Sequence, residues 1–272
     1  AIGDPTRCVK SPVYFGAGLP LFDEVILRII PDPAARVAAF ENDEVDMIYA
    51  TAVPFTEISR LSALPGVEAV SNTYVGGGWM GIINNRNPPF SNKRVRQALA
   101  HAMDRSFIRD SVLPGISWNR VGPLPHFFPL VNTALVDYAL DPDKANALLD
   151  EAGFPAKDGG VRFEMRLLYA SNFAAVAKMA DIMTQNLAKA GIKLVPTPLE
   201  RATLFEKGYI AGEFDMIIDS FALGPDPDLG TERLYNSKNI KPLPFTNNAA
   251  YSNPEVDKLF DEQRTKTEFA DR

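Results

Sequence analysis

Cysteine is almost missing. Cys8 is the only one in 272 residues, so no intramolecular disulfide can form and thiols say nothing about compartment. Histidine is nearly as scarce: His101 and His126 stand alone, which excludes zinc centres built from Cys and His, and no metal site is expected. There is no basic block either. The 28 Lys+Arg face 34 Asp+Glu, a net charge of -6, so the dense cationic footprint of a nucleic-acid binder is lacking and no nucleic-acid partner is expected. No apolar run approaches the roughly 18–20 residues of a membrane span, so no stable membrane insertion is expected. No charged, apolar and small leader opens the chain. What remains is ordinary globular composition, with 46% hydrophobic, 23% charged and 10% aromatic residues. The length suits one or two domains with ample core.

Along the chain, strand-like and helix-like segments alternate. Phe22–Ile30 is rich in Val, Ile and Leu and reads as a central strand buried on both faces. Asp32-Pro33 starts a helix, with Asp as N-cap and Pro in the first turn. Val45–Tyr49 and Val67–Tyr74 read as strands around a helix at Pro54–Ser62, which predicts an α/β layer. After Gly76-Gly77-Gly78 comes a strand at Trp79–Asn84, and Asn87-Pro88-Pro89 then forbids a helix. That strand is the expected crossover between two parts, 1–85 and 86–272.

The second part opens with a helix from Ser91 whose apolar face is Val95, Ala98, Leu99, Ala102 and Met103. Leu113–Leu140 is a long Pro-rich stretch, and loops of that length are usually functional or surface covers. Asp141-Pro142 caps another helix, stopped at Gly153. Val161–Tyr169 alternates, with Val161, Phe163, Met165 and Leu167 inward and Arg162, Glu164 and Arg166 outward. A helix over Phe173–Ala190, a strand over Ile192–Thr197, a helix over Ala202–Ala211 and a strand over Phe214–Asp219 follow. Ser252 and Glu255 around Pro254 form a capping box for the last helix.

The search for catalytic chemistry finds nothing specific. Gly76-Gly77-Gly78-Trp79-Met80-Gly81 matches G-x-G-x-x-G, but Ile82-Ile83-Asn84-Asn85 and the Pro pair follow it. No helix N-terminus can then face a pyrophosphate, so the segment reads as a turn feeding a strand and no cofactor is expected. No nucleophile elbow and no phosphate-binding P-loop occurs. His101 shares the polar helix face with Arg94, Gln97 and Arg105 and reads as solvated; His126 has no carboxylate near it in sequence. Turn chemistry accounts for Asp226-Pro227-Asp228 without a ligand, and a binding role at a strand's C-terminal end is the alternative. Trp79, Trp118, Phe127, Phe128, Tyr169, Phe221 and Tyr251 are loop or strand-end aromatics that either plug a core or wall a cleft.

One family orders these signals in the same way. The matching text is Tyr14-Phe15-Gly16 leading into Phe22-Asp23-Glu24-Val25, then Arg28-Ile29-Ile30-Pro31-Asp32 and Glu44-Val45-Asp46. It continues through Asn87-Pro88-Pro89-Phe90-Ser91, Arg94-Val95-Arg96-Gln97-Ala98-Leu99-Ala100 and Met103-Asp104-Arg105. Asp141-Pro142-Asp143-Lys144-Ala145, Gly212-Glu213-Phe214-Asp215-Met216 and Tyr251-Ser252-Asn253-Pro254-Glu255 complete it. In this the sequence resembles the extracytoplasmic solute-binding proteins of peptide-type ABC importers, over nearly all of its length. The resemblance implies a two-lobed α/β fold of the periplasmic-binding-protein kind, here with one lobe incomplete. Residues 1–85 would give part of the first lobe and 86–272 the second. It implies a non-enzyme that takes a peptide-like small solute in a cleft and hands it to a membrane permease. Residence in the periplasm or at the cell surface follows from the family alone.

The family's peptide binders hold the ligand's ammonium with an acid in the loop after the strand matching Phe214–Asp219. Here that acid's place falls on Gly224 or a gap, and Phe221 stands where Trp is frequent. Nickel complexes, opine-like conjugates and oligosaccharides therefore stay open beside peptides. The expected ligand-binding residues are Phe221, Asp226, Asp228, Trp79, Tyr169, Ser171 and Asn172. An α/β enzyme and an interaction module are the competing classes. The first lacks a nucleophile or cofactor loop, and the second requires this piece to be the whole protein. As a piece, it is expected to expose apolar surface near residues 20–75 and to bind solute weakly on its own.

Overall fold

A strand becomes a strand only where a neighbour accepts its hydrogen bonds, and the two parts of this chain differ in how many neighbours they supply. The computed structural model describes residues 5–49, 53–70, 77–114, 122–124, 131–132, 134–157, 160–223, 226, 228–268 and 271. Trp118, His126, Phe127, Phe128, Gly76 and Gly224 lie outside them, as does the end of the predicted strand Val67–Tyr74. Two compact units emerge, Ala1–Ala69 and Val70–Arg272.

In the first unit, β1 (Thr6–Val9) and β2 (Glu24–Leu27) form an antiparallel two-stranded ribbon, with Thr6 opposite Leu27 and Val9 opposite Glu24. The prediction that Phe22–Ile30 is buried on both faces is corrected. Its central side chains are open, with Ile26 at 60% exposure. Among the described residues the run has one partner strand, and an isolated ribbon is marginal in water whatever its apolar content. Apolar surface around residues 20–30 is exposed, as expected. Over their described residues the predicted strands Val45–Tyr49 and Val67–Tyr74 do not form, since no neighbouring strand pairs with them. Helix α1 (Pro33–Glu41) starts as read, with the Asp32 carboxylate accepting from Ala35 N at 2.7 Å. Together with α2 (Ile58–Leu61) it buries the small cluster Val37, Val53 and Leu61.

The second unit has a four-stranded sheet in the order β3-β6-β4-β5. Its strands are β3 (Gly77–Ile83), β4 (Phe163–Ala170), β5 (Ile192–Leu199) and β6 (Met216–Ala222). β4 runs parallel to both β5 and β6, while β3 pairs antiparallel to β6 from Gly77–Ala222 to Ile83–Met216. Pro196 and Pro198 sit in β5, which as an edge strand can spare their missing donors. Both flanks of the expected crossover strand belong to this unit, so the compact units part at Ala69 and not near residue 85. The reason is pairing. All seven β3 residues are registered against β6, and that seals the strand into the sheet.

Alternation along the strands gives the sheet two apolar faces. Met165, Leu167, Tyr169, Met216 and Ile218 point to one, where α3 (Lys93–Ala102), α5 (Pro142–Glu151) and α6 (Ala174–Lys189) cover them. The predicted helix faces are the buried ones: Val95, Ala98, Leu99 and Ala102 in α3, and Val176, Met179, Ala180, Met183 and Leu187 in α6. Between them α4 (Arg105–Val112) starts on the Asp104 side chain. Leu168, Ala170, Ile217 and Phe221 face the other way, under α7 (Arg201–Leu204), the π-helical turn Phe205–Ile210 and α8 (Thr231–Tyr235). The last helix, α9 (Pro254–Gln263), is capped by Asn253, whose side chain accepts from Glu255 N, and not by Ser252.

Two polar side chains sit differently from the sequence reading. His101 is 4% exposed, with Nδ1 2.7 Å from Ala139 O and its ring edge-on to Tyr138. Asp137, Tyr138 and Ala139 lie over the helix face that looked solvated. Arg162 is buried instead of outward, donating to the Asp150 carboxylate, to Phe154 O and to Asn146 Oδ1, while Val161 is exposed. The alternation starts only at Phe163, where pairing with β5 begins.

Candidate functional site

Chain order and sheet order disagree at one place. β4 leads through α6 to β5 on one side, and β5 then leads through α7 to β6 on the other. Such a reversal leaves a crevice at the C-terminal ends of the two adjacent parallel strands, because their outgoing loops diverge. Here those loops follow Ala170 and Ala222, and the antiparallel β3 brings its first residues to the same end, with Trp79 opposite Ser220. Five of the seven expected site residues thus gather at one end of one sheet: Trp79, Tyr169, Ser171, Asn172 and Phe221; Asp226 and Asp228 come after β6 in the chain.

They are not equally available. Ser171 and Asn172 are exposed, with Ser171 N–H donating to Leu199 O at 2.8 Å and its hydroxyl 3.5 Å from Glu200 Oε1. Trp79 is half-buried and edge-on to Phe173, ring centres 5.2 Å apart. Tyr169 is buried against the α6 side, and that burial, with the Asp181 charge behind it, pushes its hydroxyl above the ordinary tyrosine range. Phe221 is the clear correction. It lies inside β6 at 1% exposure, its ring packed edge-on to Phe245 at 5.7 Å. β6 ends three residues later than predicted, so a side chain read as loop is core. Asp226 accepts from Asp228 N at 2.9 Å, and the Asp228 carboxylate accepts from Gln263 Nε2, tying the loop to α9. Turn and tether chemistry engages both acids. At the loop's end a Cβ on Gly230 would lie 1.9 Å from Leu223 O, so only glycine allows the chain to pass there.

Within β6 lies a polar group that the sequence reading missed. Asp219 sits in β6 on an otherwise apolar face, its side chain 3% exposed. It accepts from Arg201 Nη1 at 2.9 Å, from the Tyr209 hydroxyl at 2.6 Å and from Ser220 N at 2.8 Å. The Arg201 guanidinium, 36% exposed, also lies over the Phe205 ring at 4.7 Å. An acid inside Ile217-Ile218-Asp219-Ser220-Phe221 was the available signal, since a buried carboxylate requires a donor set.

Burial first, then the charge and hydrogen bond of Asp219, push the Tyr209 hydroxyl well above the tyrosine range. The folded state therefore keeps this proton where the unfolded chain releases it, near pH ~10. That contribution to stability is complete below this pH and declines as pH rises above it, by up to ~1.4 kcal/mol per unit. Urea melts of the chain and of Tyr209→Phe at increasing alkaline pH should show a shallower decline for the variant; equal slopes would contradict the assignment.

Among the described residues, no group of three His, Cys, Asp or Glu is placed to hold a metal, and no helix is long and apolar enough to cross a membrane. Comparison with known proteins completes the description. The chain is 32% identical, over 96% of its length and 49% of the relative's, to a Brucella ovis protein named "Putative ABC transporter peptide-binding protein". It superposes on the ABC transporter-associated periplasmic binding protein DppA of Helicobacter pylori, solved with the peptide STSA, with a TM-score of 0.85 at 23% identity, covering 98% of this chain and 50% of that one. Against the periplasmic binding protein AgaA of A. tumefaciens R10, solved with agropinic acid, the TM-score is 0.84 at 27% identity, covering 100% and 54%. The chain thus spans about half the length of the curated relatives it matches, at 49% for the Brucella protein. The family profile described as "Bacterial extracellular solute-binding proteins, family 5 Middle" matches residues 3–242. With that match over most of the chain and an α/β fold shared with periplasmic binding proteins, this chain belongs to the bacterial extracellular solute-binding proteins of family 5.

Proposed function

We propose that this chain serves in capturing a peptide or peptide-like solute between two lobes and delivering it to the permease of an ABC importer. No catalytic step of its own is involved, and the protein works in the periplasm or anchored at the cell surface. In this reading the unit Val70–Arg272 supplies the second lobe and Ala1–Ala69 part of the first. The observation that carries it is the meeting of the C-terminal ends of β4 and β6 with the start of β3, where Ser171 and Asn172 are exposed and Trp79 is half-buried. Polar hydrogen-bonding groups next to an aromatic wall suit a solute with a peptide's alternating polar and apolar surface. Phe221 acts through the core in this reading, and Asp226 and Asp228 by shaping the loop.

A second reading, an opine-like conjugate, is favoured by the fold shared with the agropinic-acid-bound protein. A thermal-shift screen of the full chain against short peptides, agropinic acid and nickel separates them, because a ligand that binds only the native state raises Tm. Peptides are expected to give the shift. Asn172→Ala should leave the ligand-free Tm unchanged and weaken peptide binding about tenfold, the loss of one hydrogen bond to a charged group. A shift from agropinic acid with none from peptides would overturn the peptide reading. Unaltered affinity in Asn172→Ala and in Ser171→Ala would overturn the site.

A further inference from the structure

The other end of the same sheet carries a second cleft. Its walls are Arg86 and Asn87 after β3, Gly208–Gly212 from the π-helical turn, Phe214 before β6, and Ile240–Pro242 with Asn248. The volume is about 290 Å³. β6 has seven residues, so this cleft lies about 20 Å from the crevice, at 3.3 Å per strand residue.

Its charge is unusual for this chain. The lining includes Arg86 and Lys241 and not a single carboxylate, in a sequence of net charge -6. Glu213, between Gly212 and Phe214, does not contribute to the wall. Arg86 is held in place from behind. Its Nη1 donates to Asn248 O at 2.9 Å and to Asn84 Oδ1 at 3.2 Å, and both asparagines are buried. Asn248 is itself fixed, its Nδ2 donating to Leu243 O at 2.9 Å and facing Tyr209 O at 3.4 Å. The guanidinium is thus oriented without a carboxylate neutralising it, and its remaining N–H groups stay available. Lys241 Nζ has no hydrogen-bond or ion-pair partner among the described residues.

A fixed arginine fork beside a free ammonium matches an oxyanion. The fork offers parallel donors and the lysine a mobile point charge, with no acid present to repel the ligand. The π-helical turn along one wall is of a kind that recurs at functional sites. We propose that this cleft is a second binding site, separate from the solute crevice, for a small oxyanion of the carboxylate or phosphate class.

Titration calorimetry of the full chain at low ionic strength tests it, with inorganic phosphate and succinate as separate probes. One probe or both should bind in the millimolar range, and the preferred one identifies the source of the anion. Lys241→Met should weaken binding about tenfold, as expected for one charged contact, and added salt should weaken it further. Because Lys241 has no partner in the fold, that variant should keep its Tm; Arg86→Met is read alongside it, since its hydrogen bonds also hold Asn84 and Asn248. No heat from either probe, or equal affinity in Lys241→Met and the unaltered chain, would overturn the site.

Discussion

Phe221→Ala is expected to unfold much of this chain's stability margin, at a cost of about 3–5 kcal/mol, and not to act mainly on solute affinity. The ring is 1% exposed and touches Phe245 at 5.7 Å within the cluster that also holds Ile217, Phe214, Tyr209 and Leu204. Truncation removes its transfer free energy and leaves a cavity, because β6 is anchored by β3 on one side and β4 on the other and cannot collapse inward. Phe221→Leu, which keeps most of the volume, should cost far less. Urea denaturation of the three proteins measures this. An unchanged midpoint in Phe221→Ala together with a lost solute response would return the residue to the binding surface.

Removal of Arg201 should have the next largest effect, because of what it leaves behind. Asp219 would keep Tyr209 and Ser220 as donors but lose its only cation among the described residues, while remaining almost wholly buried. Breaking one side of a buried pair costs about 3–5 kcal/mol. Arg201 is partly open to water, so some of the pair's strength is already screened and about 2–3 kcal/mol is the expected loss for Arg201→Leu. Asp219→Asn should cost less, since the arginine it frees can be hydrated while the amide oxygen still accepts from Tyr209. Arg201→Lys, which keeps a cation beside Asp219 but loses the planar stacking on Phe205, should recover part of the Arg201→Leu deficit in urea melts. Equal deficits in Arg201→Leu and Arg201→Lys would show that the lost term is packing on Phe205.

Much of the second unit could be read directly. The faces of α3 and α6 follow a helical period, and Asp141-Pro142 starts its helix because capping is a local hydrogen bond between neighbours in sequence. The crevice loops were legible for a similar reason: a buried strand followed by turn residues names the place where a chain leaves a sheet. Pairing was not legible. Phe22–Ile30 has the composition of a central strand yet lies in an exposed ribbon, and Trp79–Asn84 reads as a crossover strand between two parts yet is sealed into one sheet. The strand that accepts β3's hydrogen bonds is β6, more than a hundred positions further along the chain, with Ile83 opposite Met216.

The side chains divide along the same line. Sequence by itself determined most helices and strands of the second unit and the apolar faces of α3 and α6, since each depends on neighbours along the chain. Only the tertiary structure decided that Phe221 is core, that Asp219 is the buried partner of Arg201 and Tyr209, that His101 is covered, and that Arg86 and Lys241 share one cleft. Burial and charge pairing arise from what packs above a residue, and a one-dimensional pattern carries no information about which distant segment that will be.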